Sequence, residues 1–253
     1  MDTLEIDVLQ DMGRSLRTIL ELNAPAIGVR FLTANDEQPA SEHRLQGYRY
    51  CQALMEARHG REVWLDAAGI ACPAAAAAFG FRPLPENLRN GKGLVGFGIV
   101  ANEAVGRRMF EAMPALPMGQ LQALHLFPLE QACAMPDVIV IEDEVERLMW
   151  LSLAYLHSTG GERIVASTAV LQATCVDSTI IPHLERRLNF SYGCYGCRDA
   201  TDLSSGEAVI GFPADTLPVI VEHLEYLNQK AIPTSRSKKA WAMLQKKNGG
   251  AEG

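Results

Sequence analysis

Apolar residues recur at helical spacing from Leu4 to Leu22 and stop at Asn23-Ala24-Pro25, which predicts an opening amphipathic helix. The apolar run Ala26 to Leu32 reads as a strand, and a loop rich in Glu, Asp, Asn and Pro separates it from a helix over Tyr50 to Arg58. Glu62 to Leu65 reads as a second strand, leading to Cys72-Pro73 and a short Ala-rich helix stopped by Gly80. Further strands are expected at Leu94 to Val100, Leu121 to Pro128 and Val138 to Ile141, with extended backbone at Arg163 to Ser167 and Ala208 to Phe212. Helices are expected at Glu103 to Met113, Glu144 to His157, part of Val176 to Arg186, and Thr216 to Leu227. Strands alternating with helices predict an α/β (α+β) fold in which sheet layers are covered by helices in one compact unit. Several connections are too short for βαβ crossovers, so a mixed sheet is expected.

Composition changes this picture little. A chain of 253 residues, 48% hydrophobic and 21% charged, buries a core without staples and excludes disorder, collagen and coiled coil as the main architecture. No repeat of 20 to 50 residues is present, so solenoids and propellers are excluded. The apolar stretch Leu148 to Leu156 contains Ser152 and is half a bilayer span, and MDTLEIDVLQ has no basic or apolar leader pattern; a cytoplasmic protein without membrane contact is expected.

Charge divides the chain. From Thr234 onward five basic residues face one acid, a net of +4, which leaves −11 for residues 1–233. An acidic body of that size argues against a nucleic-acid partner. Residues 1–233 are expected to form the globular domain, and 234–253 a basic, flexible, helical tail.

Six cysteines in a chain expected to be cytoplasmic call for a reason other than structural disulfides. Cys194-Tyr195-Gly196-Cys197 has metal-ligand spacing, and its Gly193 and Gly196 permit a tight turn that brings both sulfurs to one side. The redox-pair reading wants the dithiol at a helix start, whereas the polar residues that follow read as loop, which favours a metal knuckle. Cys72 precedes Pro73 at a helix N-cap, where the macrodipole favours thiolate, and Cys51 and Cys175 also fall near helix starts. Each of these three is equally read as a small buried hydrophobe, and Cys133, in Gln-Ala-Cys-Ala-Met, is assigned to packing.

Other motifs fail on context. Gly91-Lys92-Gly93-Leu94-Val95-Gly96 matches G-x-G-x-x-G but lacks the strand before and helix after that dinucleotide binding needs. Among the six histidines no i, i+4 pair occurs, which weakens a histidine-rich zinc site, and Glu142-Asp143 is assigned to the helix start that follows.

Pro25-Ala26-Ile27-Gly28-Val29-Arg30-Phe31, Tyr50-Cys51-Gln52-Ala53-Leu54, Cys72-Pro73, Pro128-Leu129-Glu130, Pro136-Asp137-Val138, Ala173-Thr174-Cys175 and Gly193-Cys194-Tyr195-Gly196-Cys197-Arg198, in this order, resemble the DUF169 family of bacterial and archaeal proteins over roughly Leu16 to Leu227. The resemblance implies a functional set of Cys51, Cys72, Cys175, Cys194 and Cys197, without Cys133, and supplies no reaction. The expected function is a cysteine-ligated metalloprotein in which a subset of the five binds an iron-sulfur cluster, [4Fe-4S], for redox or Lewis-acid chemistry on a small-molecule substrate or with an electron-transfer partner. Structural zinc usually takes two close cysteine pairs, whereas here one pair joins dispersed single thiols. The alternatives are a non-catalytic zinc- or cluster-binding module and a thiol-disulfide protein using Cys194 and Cys197. Arg30, Arg49 and Arg198 are candidates for holding an anionic substrate or offsetting cluster charge, or else for surface salt bridges.

Overall fold

A computed structural model describes residues 3–37 and 40–249. The opening periodicity becomes α1 (Thr3–Leu20). Among the described residues six strands follow: β1 (Ile27–Leu32), β2 (Val63–Asp66), β3 (Ala123–Pro128), β4 (Val138–Glu144), β5 (Asn189–Ser191) and β6 (Glu207–Pro213). They form one open sheet in the order β2-β3-β1-β4-β6-β5. The α/β layering is as expected, but all five ladder pairings are antiparallel, so the sheet does not mix directions.

Alternation along the strands gives each face its own core. Val29, Leu124, Leu126, Val138, Val140 and Val209 point to one face. It is covered by α2 (Tyr50–Arg58), α3 (Pro73–Ala78), a π-helix (Ala173–Ile180) and other short elements. Phe127, Ile139, Ile141, Ile210 and Phe212 point to the other, under α1, α7 (Val145–Ser158) and α10 (Leu217–Asn228). The first face contains Cys51, Cys175, Cys194 and Cys197, while the second core has no cysteine among the described residues. The π-helix lies directly on β6 because Gly211 has no side chain: a methyl group there would overlap the Ser178 carbonyl oxygen.

Two expected extended segments are not strands. Leu94 to Val100 begins instead with a helical turn, α5 (Lys92–Gly96), between α4 (Glu86–Arg89) and α6 (Glu103–Glu111). Gly91 caps it at φ +85°, Gly98 breaks the chain at φ +70°, and Leu94 packs on Leu88 and Phe110. The G-x-G-x-x-G match thus forms the cap and body of the short helix α5, preceded by a helix and not by a strand. Arg163 to Ser167 finds its partner in a side chain rather than a ladder: Asn189 Oδ1 accepts from Ser167 N at 2.8 Å and Asn189 Nδ2 donates to Ser167 O at 2.8 Å. Strand β5, three residues long, is too short to leave a periodic signal.

Glu142 and Asp143 belong to β4 rather than to a helix start alone, and both are buried, on opposite faces. Asp143 does serve the start of α7, accepting from Arg147 at 2.6 Å and from Asn23 N at 2.8 Å. After α8 (Ile181–Glu185) and α9 (Tyr195–Ala200), the chain ends in α11 (Ala231–Arg236) and α12 (Lys239–Gly249). The expected boundary at 233 falls inside α11, which is held by buried Ile232 and by Arg236 pairing with Glu21 and Glu146; residues 250–253 of the expected tail lie outside the described residues. No helix among the described residues is long and apolar enough to cross a membrane.

Candidate metal centre

The five cysteines singled out in the sequence line one cavity of about 440 Å³. Cys51 is the second residue of α2, Cys72 the N-cap of α3, and Cys175 lies within the π-helix, an element often found at functional sites. Cys194 is the N-cap of α9 and Cys197 lies in its first turn. Four of the thiols are buried and Cys72 is half-buried; none of the six cysteines is in a disulfide. Leu88, Leu94, Phe97, Ile99, Phe110 and Leu171 give the cavity an apolar lining beside them.

The C-x-x-C unit is therefore at a helix start and not in a loop. Gly193, at φ +82°, turns the chain, and the Cys194 sulfur then accepts from Cys197 N at 3.3 Å, capping α9. Gly196 plays no comparable part in the turn, since its φ is not positive. The two sulfurs are 3.1 Å apart. Cys197 also meets Thr174 Oγ1 at 3.2 Å and lies beside the Cys51 thiol, while Cys175 sits near Cys72 and the C-x-x-C pair. A single tetrahedral zinc ion needs its sulfurs roughly 3.8 Å apart. Among the described residues no three of these thiols come within 4.8 Å of one another, so the set is spread wider than one ion requires.

Cys175, Cys194 and Cys197 are not made acidic by the helices that carry them. Burial pushes Cys175 up, with Cys72, Cys197 and Cys194 adding to it. The Cys197 thiol and burial together raise Cys194. At Cys197 the Cys194 thiol acts downward, yet the Cys51 thiol and burial outweigh it and leave Cys197 pushed up to about 12. Burial and repulsion between neighbouring thiolates override the dipole of a six-residue helix. A cationic centre reverses that balance by ionising the thiols it binds.

The three arginines separate. Arg49 lines the cavity, donating to Gly196 O at 3.0 Å with Asp199 3.8 Å away. Arg198 is outside it and clamps the α9 segment by donating to the carbonyls of Tyr192, Ser204 and Glu207. Arg30 belongs to the opposite face of the sheet, where it pairs with Asp36 at 2.6 Å.

Sequence reasoning missed the polar layer beneath the thiols. Buried Arg58 reaches Glu142 at 3.1 Å, Glu207 at 3.2 Å and Asp202 at 3.3 Å, and Glu142 in turn accepts from Thr174 Oγ1 at 3.4 Å. Thr174 thus links this charge cluster to Cys197. Gln52 ties α2 to α9, accepting from Arg49 N at 3.0 Å and donating to Ala200 O at 3.2 Å. Thr174 and Gln52 sit next to cysteines in the motifs quoted above, which is the signal they left; Glu142, paired with Asp143 in the sequence, pointed only to the helix start that follows, and Arg58 left none.

Burial raises Glu142 from 4.5 to about 7 despite Arg58. Between those values the folded chain holds a proton that the unfolded chain has released, so stability falls as pH rises through this window. Glu142→Gln is expected to flatten that slope, which denaturant titrations at pH 4.5, 6 and 8 will measure; an unchanged slope refutes the assignment.

Cys133 is not a packing residue. It is exposed, and its sulfur is 3.5 Å from Glu62 Oε1 and 3.9 Å from His125 Nε2, on the face away from the cavity.

The DUF169 family, described as "Uncharacterised ArCR", matches over residues 15–223. An uncharacterized protein of Methanocaldococcus jannaschii, MJ0308, is 27% identical over 229 residues, covering 89% of this chain and 97% of the relative. No solved structure matches the chain. With the match spanning the sheet, the π-helix and all five cavity cysteines, the chain belongs to the DUF169 family.

Proposed function

We propose that the cysteine cavity holds a [4Fe-4S] cluster used for redox or Lewis-acid chemistry on a small molecule. The observation that carries this reading is the delivery of five thiols, from four separate chain segments, to one cavity with an otherwise largely apolar lining. Cys51, Cys175, Cys194 and Cys197 are the proposed ligands because they are buried; Cys72, half-buried, is the thiol the cluster can spare. A bound cluster would supply one-electron transfer when four thiolates hold it, and a Lewis-acidic iron when only three do. Arg49 would hold an anionic group of the substrate at the cavity, beside the apolar residues from Leu88 to Phe110.

Anaerobic purification with optical absorption and iron, sulfide and zinc analysis tests this. Matching iron and sulfide with broad visible absorption is expected; a colourless protein with stoichiometric zinc overturns it. The thiol-disulfide reading has one observation in its favour, the 3.1 Å approach of Cys194 and Cys197 at a helix start. It gains if no metal is found and the pair titrates as a reversible two-electron couple.

A further inference from the structure

On the opposite face of the sheet, at its β2 edge, three side chains of different chemistry converge. Glu62 immediately precedes β2, His125 lies in β3 opposite Trp64, and Cys133 follows in the connection to β4. His125 Nε2 is 2.8 Å from Glu62 Oε1; Cys133 Sγ is 3.5 Å from that oxygen and 3.9 Å from that nitrogen. Zinc bonds of about 2.0–2.3 Å at tetrahedral angles place neighbouring ligand atoms roughly 3.4–3.8 Å apart. Two of the three separations are thus already close to those of a zinc shell, and the third needs to open by roughly half an ångström.

We propose that Glu62, His125 and Cys133 form a second, separate metal site that binds a zinc ion through Oε1, Nε2 and Sγ, with its fourth position open toward solvent beside the exposed Cys133. One nitrogen, one sulfur and one carboxylate oxygen suit zinc and not calcium or magnesium, which take oxygen shells. Carboxylate and thiolate together offset the two positive charges of the ion. His125 is buried and set edge-on to Phe127 with ring centroids 5.0 Å apart, so its ring is fixed before any ion arrives. His43 faces the second carboxylate oxygen: its Nδ1 is 3.7 Å from Glu62 Oε2 and is itself buried with no hydrogen-bond partner. A ligating carboxylate commonly takes such an outer partner, and His43 is positioned to become it. The imidazole ligates in its neutral form, and the thiol gives up its proton when the ion binds.

Titration of the reduced, chelator-washed full chain with Co²⁺, read by its thiolate charge-transfer and ligand-field bands, tests the site. A Cys194→Ser/Cys197→Ser background removes the C-x-x-C pair of the cavity from the signal. In it, one equivalent of tetrahedral Co²⁺ with a single-thiolate band is expected, displaced by Zn²⁺. Adding Cys133→Ser should abolish the band, and adding Glu62→Gln should weaken binding by more than about tenfold. No saturable Co²⁺ binding in the background variant, or a band that survives Cys133→Ser, overturns the proposal. If the background variant does not fold, the wild-type minus Cys133→Ser difference spectrum replaces it: a one-thiolate difference supports the site and a null difference overturns it.

Discussion

Replacing Cys194 and Cys197 together by serine is expected to leave anaerobically reconstituted protein with background iron and sulfide and no visible absorption. The chain should stay folded, since the second core uses no cysteine among the described residues. Cys51→Ser and Cys175→Ser should each lose most of the cluster, because each removes a buried thiol that serine, a weaker ligand for iron, does not replace. Cys72→Ser should retain it. The pattern of retention also separates the two chemistries: a single dispensable position means four thiolate ligands and electron transfer, whereas two dispensable positions mean three ligands and an iron open to substrate. Retention of full iron in the double variant would end the cluster assignment.

Arg58→Met is expected to destabilise the fold by about 3–5 kcal/mol at pH 8, because it removes one partner of a buried ion pair and leaves Glu142 and Glu207 without their counter-charge. For a chain of this size that is a melting temperature lower by on the order of 10 °C. The loss should be smaller at pH 5. Without the guanidinium, burial and the neighbouring Asp202 and Glu207 carboxylates act on Glu142 unopposed and it binds its proton more tightly, so the acid form that the cavity floor tolerates is already present at low pH. Adding Glu142→Gln and Glu207→Gln should recover much of the stability, since no buried charge then lacks a partner. Equal losses at pH 5 and 8 would refute the charge argument and point to lost packing.

The helices over Tyr50–Arg58 and Glu103–Glu111 and the strands on either side of Pro128–Val138 were legible because each has a strong period or a long apolar run. The α5 turn was not, since Leu94-Val95-Gly96-Phe97 has strand-like composition and only packing on Phe110 decides otherwise. Cys72 and Cys194 were marked by punctuation, Pro73 and Gly193, and Cys197 by its spacing from Cys194, whereas Cys51 and Cys175 read equally as packing residues and only the resemblance to the family singled them out. Cys133 had no such mark. Its neighbours Glu62 and His125 are distant in sequence, and antiparallel pairing of β2 with β3 brings them together. The Arg58 cluster was hidden for the same reason, its carboxylates coming from β4, β6 and the segment between α9 and β6.

The division of the hydrophobic interior by the sheet bears on the order of assembly. The four segments that supply the thiol cavity span Cys51 to Cys197, so the cavity exists only after long-range closure of the chain. The core of α1, α7 and α10 against the sheet needs none of those thiols. If the cavity holds the proposed cluster, the scaffold can therefore fold before it is loaded. Delivery would then be to a finished protein, past Cys72 at the half-buried side of the cavity, and not to a nascent chain with scattered cysteines.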